Sequence, residues 1–408
     1  MSKEPTLVLV PALPVAQSEN AFVLTRKFIS GVQEHQRLWP GPVDVIMEPT
    51  STVGDNLDNI TVMREDLPFN LIVLPHVASE MEEFLLGAAL VMLTVHYRQA
   101  HLAEVCARLG VPCAYASEYS LRTRLQIART ATSNPLKLIR KAMWELGQER
   151  RNRKAIIHAT GVQCNGTPTY EAYRTLNSKA MLYFDTRVDS RMLADESTLQ
   201  QRFEARRTGG KLRLVFSGRL IAMKGADHLV RVAHALRDRG RPFELFICGT
   251  GTLEQQMRED VRNRGLADLV HFKGNLDFER ELMPFVREYG DLFICCHRQG
   301  DPSCTYLETM ACGVPIIGYD NEALRGIVSA SGAGWTTPMD RPGKLAKLIV
   351  SLCDQEIEQQ SRRSLAFAHD HTFEKEFERR MAHARNLAGL TSSGPILADA
   401  DSAGGPTL

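Results

Sequence analysis

Short apolar runs separated by polar, helix-period segments set the first limit on what this 408-residue chain can fold into. In the first half the runs fall at 7–10, 43–47, 71–74, 90–95, 113–116, 155–158 and 180–184. In the second half they fall at 213–216, 243–248, 269–272, 292–296 and 314–318. A strand facing water on one side alternates apolar with polar residues, whereas a strand covered on both faces reads as a continuous apolar run. Such runs alternating with helices predict parallel sheets with helices on both faces. The alternation restarts after the polar, glycine-bearing stretch 205–211. A chain of this length also exceeds one ordinary core. The expectation is α/β, with two doubly wound domains spanning 1–207 and 211–371. A closing helix within 372–390 is expected to pack back toward the first domain, with Thr372 as its N-cap before Glu374 and Glu376. The stretch 391–408 is mostly Gly, Ser, Ala, Pro and Asp and is expected to be disordered. Ligands of such folds bind beyond the strand C-termini, here in the cleft between the domains.

Composition narrows the partners. The formal net charge of +1 gives no global field to recruit nucleic acid. No apolar run approaches the ~18 residues of a membrane-spanning helix. The run 6–10 is too short for a secretory signal, and Glu4 cancels Lys3. The nine cysteines are odd in number, form no CxxC pair, and sit largely in apolar runs. That pattern reads as reduced thiols in a cytoplasmic protein, and no metal-ligand cluster is visible.

The chemistry gathers at predicted strand ends. Residues 301–315 read Asp-Pro-Ser-Cys-Thr-Tyr-Leu-Glu-Thr-Met-Ala-Cys-Gly-Val-Pro. A helix opened by Pro302 and Ser303 presents unpaired N–H groups suited to a phosphate. Glu308, about one and a half turns on, suits vicinal hydroxyls, so phosphate and diol together suggest a nucleotide. Strand 214–216 leads into Gly218-Arg219 and then Lys224-Gly225. A guanidinium fork and an ammonium on one loop can share a diphosphate, although such a pair alone is more simply two exposed charges. Gly249-Thr250-Gly251 allows close backbone approach to a ligand, or only a tight turn. The strand ending at Lys273-Gly274 can contact a base.

These four loops, in this order, resemble the nucleotide-sugar domain of retaining GT-B glycosyltransferases, family four in the usual sequence classification. The resemblance is strong over 213–330 and carries Gly218-Arg219, Lys224-Gly225, Gly249-x-Gly251, Phe272-x-Gly274, Glu308 and 311–315. The first half matches only in its alternation and in Asp185-Thr186-Arg187-Val188-Asp189. The resemblance implies a GT-B fold of two Rossmann-like domains and a UDP- or GDP-sugar donor. The implied acceptor is a glycan, a lipid-linked molecule or a small molecule. Arg219 and Lys224 would bind the diphosphate and Glu308 the ribose. The amides of Ser303, Cys304 and Thr305 would face phosphate or sugar. Gly218, Gly249, Gly251, Lys273 and Gly274 would complete the donor site. Fixed positive charge at the leaving oxygens stabilises a departing diphosphate without a required metal. Rival readings are a sugar-nucleotide epimerase, a phosphorylase, or a nucleotide-sugar-binding subunit without catalysis.

The sequence also departs from the family. A second glutamate is usual eight positions before Glu308, and Gly300 stands there. Asp301 either takes over its contact with the donor sugar or caps the following helix. The first loop, 14–20, lacks the usual glycines. Glu118 stands where a histidine is common; an ion pair with Arg122 or Arg124 is favoured over contact with donor or acceptor. His76 and His96 follow strands and are candidates on the acceptor side, although lone histidines there are more often structural. The polar stretch 160–169, with Gln163, Asn165, Gly166 and Thr167, is a candidate acceptor loop or a plain surface loop. Finally, residues 119–154 hold ten cations against Glu145 and Glu149, a local excess of eight. A solvated basic helix face is favoured there over peripheral contact with the inner face of an anionic membrane.

Overall fold

A computed structural model describes residues 4–53 and 58–390. The expected disordered tail, 391–408, lies outside the described residues. Seven parallel strands form the first sheet. Their spatial order is Ala180–Tyr183, Gly161–Asn165, Cys113–Ser117, Leu90–Thr94, Leu7–Val10, Val43–Met47 and Asn70–Val73. Six parallel strands form the second, in the order Val270–Gly274, Phe243–Cys248, Leu212–Ser217, Leu292–Cys295, Ile316–Tyr319 and Trp335–Thr337. In each sheet the first strand lies inside, and chain order reverses beside it. The crevices at these reversals open between Leu7–Val10 and Leu90–Thr94, and between Leu212–Ser217 and Leu292–Cys295.

The cores explain the apolar runs. Leu7–Val10, Leu292–Cys295 and Ile316–Tyr319 are buried at every position. Helices cover both faces of the second sheet, and Leu229, Val232, Leu236, Tyr306, Met310 and Leu324 fill the layers. Helix Phe373–Leu387 is capped by the Thr372 hydroxyl, which accepts from the Lys375 N–H at 3.5 Å. It packs on the first sheet, where Met381, Ala384 and Leu387 are buried. Gln163 donates to the Arg380 carbonyl at 2.9 Å, and Arg385 donates to the Leu38 carbonyl at 2.6 Å. Gly161 has no room for a side chain, because a Cβ there would stand 2.6 Å from Leu387 Cδ1.

Several local expectations are corrected. Residues 155–158 are not a strand but the end of helix Pro135–His158, which starts at an Asn134 cap and runs on through Gly147. A four-residue apolar run does not separate strand from helix. The neighbouring strand is Gly161–Asn165, and helix Gly166–Tyr173 follows it directly. The expected acceptor loop 160–169 is thus largely buried secondary structure. The glycine-free loop 14–20 is a hairpin: Val15–Gln17 pairs antiparallel with Ala21–Thr25, inside a four-stranded sheet with Pro49–Thr50 and Asn59–Met63. The expected linker begins inside helix Glu196–Arg207. Arg202 of that helix donates to the Arg287 and Cys312 carbonyls at 2.9 Å, and Arg206 to Asp354 at 2.9 Å. The helix therefore packs on the second sheet, and we propose that the domain boundary falls before it.

Candidate active site

The loops at the second crevice are held by backbone contacts. Gly218 donates its N–H to Cys248 O at 3.0 Å and Leu220 to Thr250 O at 2.8 Å, so the two loops run edge to edge. A Cβ on Gly249 (φ 136°) would lie 2.1 Å from Gly218 O, and one on Gly251 2.5 Å from Leu220 O. These two glycines are explained by the stitching of loops. Gly249 also reaches the cleft wall, and Gly251 does not. Gly225 (φ 62°) brings the next helix against Cys296 O, where a Cβ would stand at 2.0 Å.

A cavity of about 340 Å³ opens at these strand ends. Gly218, Arg219, Gly249, Phe278, Thr305 and Glu308 line it, and Asp58 and Arg187 close it from the first half of the chain. Its size is that of a small-molecule site. Arg219 is exposed and has no ion-pair partner among the described residues. Lys224 is buried: its Nζ donates to Asp301 Oδ2 at 2.8 Å and to Ser303 Oγ at 3.4 Å. Glu308 is buried too, and its Oε1 accepts from Arg187 Nη2 at 2.9 Å and Nε at 3.1 Å. The Arg187 guanidinium lies 4.0 Å over the Phe278 ring.

The helix after Asp301 is shorter than expected, running Thr305–Ala311 with Cys304 as its N-cap and no side-chain cap bond. The helix-capping reading of Asp301 therefore fails; its carboxylate holds Lys224. Gly300 is buried beneath the first domain. Its carbonyl accepts from Thr123 Oγ1 at 3.2 Å and its N–H donates to Gln126 Oε1 at 2.9 Å. A Cβ at 300 would already touch Glu322 and Thr123 at 3.2 Å, so a larger residue there requires those side chains to shift.

Across the cleft, helix Arg26–Leu38 carries Lys27 in its first turn. Lys27 Nζ pairs with Asp185 Oδ2 and reaches Cys304 Sγ at 3.3 Å. Burial opposes the Lys27 charge, and Cys304 and Asp185 more than offset that, so its pKa rises. Burial pushes the Cys304 thiol up to about 12. The favoured ion pair of Glu118 does not form. Arg122 pairs with Glu322 at 3.0 Å, and Arg124 with Glu145 and Glu149 at 2.8 and 2.7 Å. Glu118 instead stands near Asp185, Lys27 and Asp301. The residue keeps an exposed edge, and its carboxyl is raised above the ordinary range, first by partial desolvation between the cleft walls, then because Asp185 repels its charge.

Of the other residues singled out in the sequence, Asn165 touches this group and the histidines lie apart from it. His76 is buried among Glu48, Gln99 and His101, and burial lowers its pKa. His96 packs against Tyr97, its ring tilted by 47° with 4.3 Å between centroids. Asn165 is buried and accepts the Asp185 N–H at 3.1 Å, a structural duty. Lys273 lies over the Phe285 and Phe246 rings at 5.0 and 5.9 Å and does not line the cavity, while Gly274 O accepts the Gly249 N–H at 2.6 Å. Sequence reasoning missed Lys27 and Arg187 as cleft residues. The only signals available were a Thr25 cap before a helix-period segment and the short match at 185–189. Among the described residues no helix is long and apolar enough to cross a membrane.

Comparison with known proteins agrees with this geometry. Residues 197–366 match the sequence model of the family described as Glycosyl transferases group 1. The alpha-D-kanosaminyltransferase of Streptomyces kanamyceticus is 25% identical over 141 residues, which is 35% of this chain and 36% of that protein. The amylovoran biosynthesis glycosyltransferase AmsK of Erwinia amylovora is 26% identical over 154 residues, 36% of this chain and 37% of that protein. The chain thus spans little more than a third of the length of these relatives. Among solved structures, Anabaena HepE in complex with UDP matches with a TM-score of 0.66 at 13% identity, covering 94% of this chain and all of that one. Its complex with UDP-glucose matches with a TM-score of 0.61. The fold is GT-B.

Proposed function

We propose, from the match of residues 197–366 to the family described as Glycosyl transferases group 1, that this chain is a retaining glycosyltransferase. It moves a sugar from a nucleoside-diphosphate sugar to an acceptor held by the first domain. The observation that carries the reading is the cavity at the second crevice, with exposed Arg219 on its wall, and Lys224 held by Asp301 and Ser303 just ahead of Thr305 and Glu308, which line it. The barrier to transfer is expulsion of a nucleoside diphosphate from the anomeric carbon. Arg219 and Lys224 stabilise the charge that develops on the leaving oxygens. Lys224 changes partner in doing so: the diphosphate replaces Asp301, and the released carboxylate turns to the sugar hydroxyls in place of the glutamate missing at 300. Glu308 keeps Arg187 on Oε1 and offers Oε2 to the ribose. The HepE complexes with UDP and UDP-glucose support a nucleotide of this kind.

The test is thermal unfolding against a panel of UDP- and GDP-sugars, followed by turnover of the stabilising donor. A ligand that binds only the native state raises the melting point by mass action. One donor that stabilises and is consumed supports the proposal; no stabilisation by any member of the panel sinks it. The burial of Gly300 under Thr123 and Gln126 favours a second reading, a binding subunit without catalysis. That subunit would be stabilised by the donor and leave it intact. Full turnover with unchanged donor preference in Asp301→Ala would remove the role given to Asp301.

A further inference from the structure

Helix Pro135–His158 is 24 residues, about 36 Å long. Its N-terminal half lies along helix Leu121–Ala131, and no residue from 135 to 144 is buried. Leu136, Ile139, Met143 and Leu146 are 76%, 57%, 62% and 48% exposed. Their spacing places them along one face of the helix. Single exposed apolar residues need no explanation, whereas four in a row on one face do.

The charge arrangement on this helix is equally one-sided. The only two acids in the basic stretch, Glu145 and Glu149, are buried on the inner face against Arg124. Lys141 and Arg153 lean toward them. The outward surface keeps Lys137, Arg140, Arg150 and Arg151, which have no carboxylate partner among the described residues. In a protein of net charge +1 this is a concentrated positive patch. Trp144 flanks the apolar row, with Tyr97 edge-on at 5.6 Å and Lys141 Nζ 4.0 Å over its ring. Aromatic rings with one wet edge sit well at headgroup level, and long basic side chains reach past apolar ones toward phosphates.

We propose that the outward face of helix Pro135–His158 docks the protein on an anionic lipid bilayer. The apolar row enters the boundary of headgroups and acyl chains, and the flanking cations meet lipid phosphates. Turning both acids inward is what distinguishes this surface from an ordinary solvated helix face. The neighbouring helix Leu121–Ala131 runs from Glu118 and Tyr119 at the cleft to Ala128 and Arg129 beside the patch. Docking therefore brings the acceptor side of the cleft toward the lipid surface. This surface binding is independent of which sugar is moved, or whether any is.

The experiment is co-sedimentation of the full chain with vesicles of phosphatidylcholine alone and of phosphatidylcholine mixed equally with phosphatidylglycerol. The expected result is sedimentation with the mixed vesicles only, weakened by raised salt. Ile139→Asp with Met143→Asp abolishes it, and Lys137→Glu with Arg140→Glu does the same. Both variants keep the parent melting temperature, because every substituted side chain is exposed. Absence of the wild-type chain from the mixed-vesicle pellet overturns the proposal, as does undiminished sedimentation of the Asp variant. A chain that dimerises through this face, shown by a wild-type dimer that the Asp variant converts to monomer without any vesicle binding, overturns it in favour of a second copy as the occupant.

Discussion

The two walls of the cleft are built by different means. On the second domain, backbone meets backbone: Gly218 against Gly249, Leu220 against Gly251, and Gly225 against Cys296, with almost no room at any crossing. On the first domain, position depends on long charged side chains that reach across sequence and space, Lys27 to Asp185 and Arg187 to Glu308. A wall set by backbone sterics tolerates few substitutions and leaves short local motifs. A wall set by side-chain pairs is rebuilt easily by substitution.

The contrast can be broken at several points. On the proposed function, the largest effect is expected from Lys224→Ala, which would take positive charge from the leaving oxygens and should lower kcat by about 10²–10³-fold. Steady-state donor turnover measures it, and a loss below tenfold removes Lys224 from the mechanism. Next comes Gly225→Ala, with a positive φ and a backbone oxygen at 2.0 Å. It should destabilise the fold by about 3 kcal/mol in denaturant unfolding. Gly110→Ala in the first domain has the same sign of φ and nothing within 4 Å, so it should cost about 1 kcal/mol. Equal costs at the two sites would erase the steric difference.

Glu308→Ala should raise the donor Kd about tenfold by calorimetry, the worth of one or two hydrogen bonds, with acceptor KM unchanged. A shift in acceptor KM instead would place Glu308 on the wrong side of the cleft. The smallest effect belongs to Glu118→Gln. Because the folded state raises the pKa of this carboxyl, the native protein binds a proton there more readily than the unfolded chain does. Stability is therefore lost as pH rises from the ordinary glutamate range through the raised value. The glutamine variant should melt slightly higher than the parent at neutral pH, and the gain should vanish below pH ~4. A gain that persists in acid would show that charge is not its cause.

The same contrast decided what could be read from sequence. Gly218-Arg219, Lys224-Gly225 and 308–315 were legible because a turn, a cation and a helix stop sit side by side in the chain. Lys27, Glu118 and Asp185 come together only through the fold, and no local spacing announces them. Glu118 was paired on paper with cations four and six positions away, yet Arg124 turns instead to Glu145 and Glu149 on the next helix. The run 155–158 failed for a related reason, since four apolar residues fit the last turn of a long helix as well as they fit a strand. The third sheet was invisible because its strands are two to five residues long and half-exposed.

Helix Phe373–Leu387 has a consequence for how the protein is made. Met381, Ala384 and Leu387 complete an apolar layer whose other members, such as Leu7, Val45 and Leu90, emerge from the ribosome first. These earlier residues thus wait, with that layer uncovered, for a helix made much later. The second domain lies between them and can fold on its own schedule. A chain that stops short of residue 373 lacks this cover, and the apolar layer it leaves open is what a chaperone has to hold.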